Sequence, residues 1–189
     1  MKLFSEQYLE RLQEAIKYFP HDDFKKMIEA FLNARDSGNR IFVMGNGGSA
    51  STASHWVCDL NKGCCCEDEE KRFKMICLND SISTMMAYAN DLSYENIFIE
   101  SLKNFFETGD VVVGISGSGN SPNVINAIEY ANNHGGVTVG LSGYDGGKLK
   151  QIVSIPIHAN VNDMQLTEDI HMIIVHMTMQ QVKYSLSSN

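Results

Sequence analysis

Two short stretches hold residue types suited to gripping an anion. Gly45-Asn46-Gly47-Gly48-Ser49 follows the apolar run 41–44 and leads straight into a helical pattern. Glycines let backbone N–H groups approach a ligand, and a helix N-terminus favours negative charge. The stretch has neither G-x-G-x-x-G spacing nor the lysine of a Walker loop, so alone it reads equally well as a tight turn. The second stretch runs from Gly114 to Pro122 and sets the hydroxyls of Ser116, Ser118 and Ser121, with Gly117 between, around a helix start. Ser121 suits the N-cap and Pro122 the first helical position. Many hydroxyls and free N–H groups without a lysine fit a phosphomonoester held by neutral donors. A third stretch, Ser142 to Lys148, can approach the same crevice; its expected part is to shape the entry into the next helix, without chemistry.

The titratable residues add a second theme. His55 and Asp59 are spaced i,i+4, so they share one helix face and can bind one metal ion or each other. Cys58, at i+3 from His55, is a competing soft ligand. Glu168 and His176 stand eight residues apart, about 12 Å along a helix axis. They reach one ion only if their side chains converge from opposite ends, and Glu168 with His171, at i,i+3, is an equally good pair on spacing alone. His21, His134 and His158 show no partner pattern. The methionines of the last helix, among them Met172, Met177 and Met179, read as packing rather than ligands.

The elements that must position these groups follow from the apolar pattern. Leu9, Leu12, Ile16 and Phe19 line one amphipathic face, and Phe24, Ile28, Phe31 and Leu32 another, with Pro20 and His-Asp-Asp between them. Short apolar runs then recur at 41–44, 73–78, 111–115, 137–141 and 152–157. Helical stretches are expected at about 49–60, 81–107 with a break near Asn90, 121–134 and 163–185. Continuous apolar strands alternating with helices predict a parallel sheet covered on both faces. The expected fold is α/β: a three-layer sandwich around a central parallel five-stranded sheet, flavodoxin-like, with an N-terminal helical hairpin. In such a sheet the glycine and serine loops meet at the carboxyl ends of the strands.

Composition narrows the function classes. The 189 residues fit one domain, and 43% hydrophobic content supplies a core. A net charge of −8 argues against a broad nucleic-acid surface. No apolar run approaches the length of a membrane span, and the N-terminus lacks a signal-peptide core, so a soluble cytoplasmic protein is expected. The five cysteines include the run Cys64-Cys65-Cys66, which lacks C-x-x-C spacing and reads as reduced thiols in a surface loop.

The stretches GNGGSASTASHW, AYANDLSYENIF, GDVVVGISGSGNSPNV, GLSGYDGGKL and EDIHMIIVH together resemble the sugar isomerase (SIS) family of phosphosugar-binding domains, in its phosphoheptose isomerase branch. The resemblance covers almost the whole chain and implies a single SIS domain over 1–189, with the hairpin 1–37 in an oligomer interface. It further implies a homotetramer with active sites between subunits, and zinc held by two histidines, a glutamate and a glutamine. By position these fall on His55, Asp59, Glu168 and His176. The resemblance places phosphate on Ser116, Gly117, Ser118 and Ser121, and sugar contacts on Asn46, Gly47, Gly48, Ser49, Asp91 and Glu168. It makes Asp59 the base and His176 the acid of a ketose–aldose isomerisation, acting on sedoheptulose 7-phosphate. Glu168 is a rival base, since it ionises where the family's glutamine cannot.

Three departures stand out. Gly63, beside Lys62, holds the place of a family arginine; Gly117 replaces a threonine; Gln165 replaces an aspartate. The alternative reading is a non-catalytic phosphosugar-binding SIS protein, a regulator or initiator-associated factor, and His176 speaks against it because such relatives lose that histidine. A third is a sensing module that pairs with another protein through the segment CCCEDEE.

Overall fold

The computed structural model describes residues 3–64 and 71–187. Cys65, Cys66 and the acidic residues after them lie outside that range, and with them most of the segment CCCEDEE.

Five strands form one sheet: β1 (Ile41–Gly45), β2 (Met75–Cys77), β3 (Val111–Ser116), β4 (Val137–Ser142) and β5 (Ile155–His158). All pairings are parallel and the order is β2-β1-β3-β4-β5. Alternation within each strand builds two cores. Ile41, Val43, Val111, Val113 and Ile115 face Phe31, Trp56 and Ile174. Phe42, Met44 and Val112 face Phe98, Leu102 and Ile128 on the other side. Burial on both faces is why these strands read as unbroken apolar runs.

The helices are α1 (Phe4–Ile16), α2 (His21–Ser37), α3 (Gly48–Cys58), α4 (Ile82–Asp91), α5 (Ile97–Lys103), α6 (Pro122–Asn133), α7 (Gly147–Ile152) and α8 (Met164–Ser187). A π-helical turn, Asp59–Gly63, continues α3, and a 3-10 turn, Tyr94–Asn96, fills the break expected near Asn90. α2 buries Met27, Ile28, Phe31 and Ala34, but α1 buries nothing. Its Leu12 and Ala15 pack partly buried against the core, and polar contacts tie the helix to α8 through Tyr8 Oη and Asp169 (2.6 Å) and to the residue before α8 through Arg11 and Asp163 (2.7 Å). Two strands are shorter than their apolar runs. β2 is an edge, and Phe73 leaves the ladder to lie under the Arg35 guanidinium. β5 starts at Ile155 because Ile152 still belongs to α7, a short helix that the sequence pattern does not delimit.

The strand order reverses direction between β1 and β3. Open α/β sheets bind ligands at that switch point, outside the carboxyl ends of the strands. The glycine loop after β1 and the serine loop after β3 both emerge there.

Candidate active site

The glycine loop is held by amides. Asn79 bridges Gly45, donating to its carbonyl (2.8 Å) and accepting from its N–H (3.2 Å). Asn46 and Asn123 exchange hydrogen bonds in both directions, each 2.9 Å, and Tyr94 Oη donates to Asn46 Oδ1 (2.9 Å). Asn123 is on α6, so this pair clamps the glycine loop to the helix that follows the serine loop. Asn46 is among the residues expected from the sequence, but its partners Asn123 and Tyr94, and Asn79 beside Gly45, are not, because polar side chains in separate segments carry no spacing signal. Ser49 is buried, packed under Gly45 at the start of α3. Asp91 ends α4, exposed, and accepts from Asn90 Nδ2 (2.8 Å).

The serine loop keeps its hydroxyls free of the helix they precede. Ser121 is the N-cap of α6 by position, with Pro122 in the first turn, yet its side chain makes no capping bond. Its Oγ lies 3.0 Å from Ser116 Oγ instead. Ser118 is exposed and accepts from the Asn120 N–H (3.2 Å). The third loop braces this one from behind: Gly143 N–H donates to Gly117 O (2.8 Å), and Leu149 N–H donates to Gly119 O (2.9 Å). Gly119 has φ +68°, and a Cβ there would sit 2.0 Å from Gly146 O. Only glycine fits that approach. Ser118, Asn120, Tyr144 and Asn162 border an open cavity of about 740 Å³, so the third loop shares a cavity with the serine loop; no glycine-loop residue lines it.

The histidine cluster forms between α3 and α8. His55 Nε2 lies 3.2 Å from His176 Nε2 and 3.4 Å from Asp59 Oδ2. Ligand atoms of His55, Asp59 and His176 all fall within 4.8 Å of one another. Donors bound at ~2.0–2.1 Å around a tetrahedral zinc are about 3.3 Å apart, so the set fits such an ion without rearrangement of the backbone. Cys58 is exposed and Cys64 buried, and neither belongs to the cluster.

Glu168 is placed elsewhere. Its carboxylate packs on Gly48, at the first turn of α3: a Cβ on Gly48 would meet Oε1 at 2.6 Å. The contacts Gly48–Glu168 and His55–His176 together mean that α3 and α8 run in the same direction, seven residues on one helix matching eight on the other. The spacing of about 12 Å between Glu168 and His176 thus survives in the fold. The structure joins three of the four expected metal ligands and sets Glu168 by the glycine loop. His171, the other spacing partner of Glu168, turns inward; burial pushes its imidazole down to about 4, and it takes no place in the cluster.

An open parallel sheet with hydroxyl- and amide-lined loops at its switch point, and a His-Asp-His group between α3 and α8, defines a three-layer α/β domain. The SIS domain model matches residues 5–143, and the chain belongs to the SIS domain family. It is 36% identical over 159 residues to a phosphoheptose isomerase of Citrifermentans bemidjiense, covering 84% of this chain and 82% of that one. It is also 36% identical to a phosphoheptose isomerase of Helicobacter pylori, covering 90% and 84%. Among solved structures, a phosphoheptose isomerase from Neisseria gonorrhoeae superposes with TM-score 0.85 at 25% identity, covering 95% of this chain and 94% of that one. One from Francisella tularensis gives 0.87 at 22%, covering 96% and 95%.

Proposed function

We propose that this protein is a metal-dependent phosphosugar isomerase that interconverts a ketose and an aldose, with sedoheptulose 7-phosphate as substrate. The observation that carries the reading is the His55–Asp59–His176 group, whose spacing suits one divalent ion, between α3, which starts at the glycine loop, and α8, whose first residue Met164 packs against Gly117 of the serine loop. Similarity to phosphoheptose isomerases supports the substrate.

In this reading Ser116, Ser118, Ser121 and the Gly117 backbone hold the phosphate. Asn46, Gly47, Gly48, Ser49, Asp91 and Glu168 line the sugar. His55, Asp59 and His176 would hold a divalent ion such as zinc, which would supply Lewis-acid polarisation of substrate oxygens. Glu168, in the family's fourth ligand place, would have to swing away from Gly48 to join them. Isomerisation moves a proton between adjacent carbons and another onto the neighbouring oxygen. His176 is the acid. Asp59 is the base, with Glu168, next to the glycine loop, as its rival.

The domain spans 1–189 and assembles as a homotetramer in the cytoplasm. Exposed apolar side chains on α1 (Phe4, Leu9, Ile16) and on and after α4 (Ile82, Met86, Leu92) support assembly through these faces, including the hairpin 1–37. Among the described residues no helix is long and apolar enough to cross a membrane.

The test is isomerisation of sedoheptulose 7-phosphate with zinc added or chelated, together with His176→Ala and Glu168→Gln. Chelation and His176→Ala should each abolish turnover while phosphate binding survives. Tight binding without turnover under any metal would give the protein a regulatory, non-catalytic role instead. Glu168→Gln keeps the size and shape of the side chain but cannot ionise; a loss of ~10²–10⁴ in rate would move the base from Asp59 to Glu168.

A further inference from the structure

Beneath the serine loop, α8 carries polar side chains that the chemistry above does not use. Thr167 is fully buried, His171 is 1% exposed, and they stand one turn apart on one helix face. Thr167 Oγ1 and both ring nitrogens of His171 make no well-aligned hydrogen bond among the described residues, although the Ser142 backbone lies close enough to the imidazole to work against the effect of burial on its pKa. They are therefore neighbours that do not bond each other directly. Buried polar atoms left unsatisfied are destabilising, so native proteins rarely keep several together.

Their location matters more than their number. A Cβ on Gly143 would fall 2.3 Å from Thr167 Oγ1, so that loop rests directly on the threonine. Gly143 N–H in turn donates to Gly117 O (2.8 Å), in the middle of the serine loop. Thr167 Cγ2 also comes within 4.0 Å of a Cβ position on Gly117. On the far side, Ser142 is fully buried, with its Oγ 3.3 Å from His158 Nδ1. This is a polar layer in an otherwise apolar helix–sheet interface formed by Ile115, Leu141, Ile157, Ile170 and Ile174.

We propose that Thr167 and His171 enclose one ordered internal water, and that this water and its two holders are a positioning device that sets the phosphate loop against α8. A water suits the place: it needs two to four polar partners, and the threonine hydroxyl and the imidazole supply them. With burial holding its pKa near 4, the imidazole is neutral at ordinary pH and presents one donor and one acceptor. The same helix bears Glu168 and His176, so the device also fixes the distance between the phosphate and the reacting end of the sugar. It rests on reading Ser116–Ser121 as the phosphate site.

The probe is inorganic phosphate, titrated calorimetrically into the full chain, with sugar-phosphate kinetics alongside. Thr167→Val keeps the shape and loses the hydroxyl; Thr167→Ser keeps the hydroxyl. Thr167→Val should weaken phosphate roughly fivefold to tenfold and raise KM with little change in kcat, while Thr167→Ser stays near wild type. His171→Gln, which can still bond a water, should bind phosphate better than His171→Leu. A crystal structure at high resolution should show solvent density between the two side chains. A purely structural role would lower the unfolding midpoint of Thr167→Val but leave phosphate affinity, measured well below that midpoint, at the wild-type value; that result overturns the proposal. So does an empty space between Thr167 and His171 in the crystal. Wild type that binds no phosphate overturns both this proposal and the phosphate reading, whereas wild-type binding shared by Thr167→Val overturns this one alone. Should His171→Leu fail to fold, the two threonine variants decide.

Discussion

Gly48→Ala separates the function of Glu168 from the stability of the fold. Gly48 is the first residue of α3, and it is not among the glycines with positive φ, so alanine suits its backbone. The added Cβ would lie 2.6 Å from Glu168 Oε1, 2.8 Å from Oε2 and 2.9 Å from Cδ, where ordinary contact begins at 3.4 Å. The carboxylate must retreat by about 0.8 Å. Because it ends a flexible, half-buried side chain, that retreat costs little. Helix propensity favours alanine over glycine by up to about 1 kcal/mol. The net change in unfolding free energy should therefore be within about 1 kcal/mol of zero. Catalysis is less tolerant, since a displacement near 1 Å at a reacting group can cost on the order of 10²-fold. The assay is kcat/KM for sedoheptulose 7-phosphate, paired with urea midpoints. The expected outcome is a drop of roughly 10- to 100-fold at unchanged midpoint, with partial recovery in Gly48→Ala/Glu168→Asp, whose shorter acid clears the methyl. A Gly48→Ala protein with wild-type kcat/KM would refute the placing of Glu168 in the active site.

Gly119→Ala should do the opposite and damage the fold itself: its methyl would lie 2.0 Å from the Gly146 carbonyl oxygen, at φ +68°. A loss of at least about 2 kcal/mol, read as a lower urea midpoint, is expected, with phosphate binding lost alongside. Stability should also fall with acid through His171, whose pKa drops on folding from 6.5 to about 4 because burial disfavours the charged ring. The unfolded chain takes up the proton first, so the full contribution stands above pH 6.5 and is lost as pH falls toward 4, a total of roughly 3 kcal/mol. Urea unfolding at pH 7 and 4.5 should show a smaller difference between the two pH values in His171→Gln than in wild type; an identical difference would refute this origin.

Much of the architecture is legible in the sequence because burial on both faces writes strands as unbroken apolar runs. The limits are physical. The run 73–78 overstates β2, since an edge strand pairs on one side only and Phe73 finds a packing partner off the ladder. α7 escapes detection because six residues give too few turns for a helical period to emerge. In the site, a local cluster such as Ser116–Ser121 announces itself, and so does the i,i+4 pair of His55 and Asp59. The clamp between Asn46 and Asn123 does not, since it joins positions 77 apart.

Glu168 and His176 test this difference most sharply. Their spacing alone says that a straight helix holds them about 12 Å apart, and the structure keeps that distance by giving each its own partner on α3. Resemblance assigns both to one metal, which the helix allows only if the glutamate leaves Gly48. The carboxylate has a defined place by the glycine loop, and the three remaining ligand atoms already lie within 4.8 Å of one another. A three-residue holder leaves a fourth coordination position open, which is the arrangement catalytic zinc sites use to admit water or substrate. The glutamate of this chain differs from the family's glutamine in carrying a charge, and that charge sits at the start of α3, where the helix N-terminus favours it. The structure thus places this glutamate at the glycine loop, apart from the His55–Asp59–His176 group. Comparing metal stoichiometry in Glu168→Ala and His176→Ala checks it: zinc should be retained in the first and lost in the second, and equal loss in both would return Glu168 to the metal.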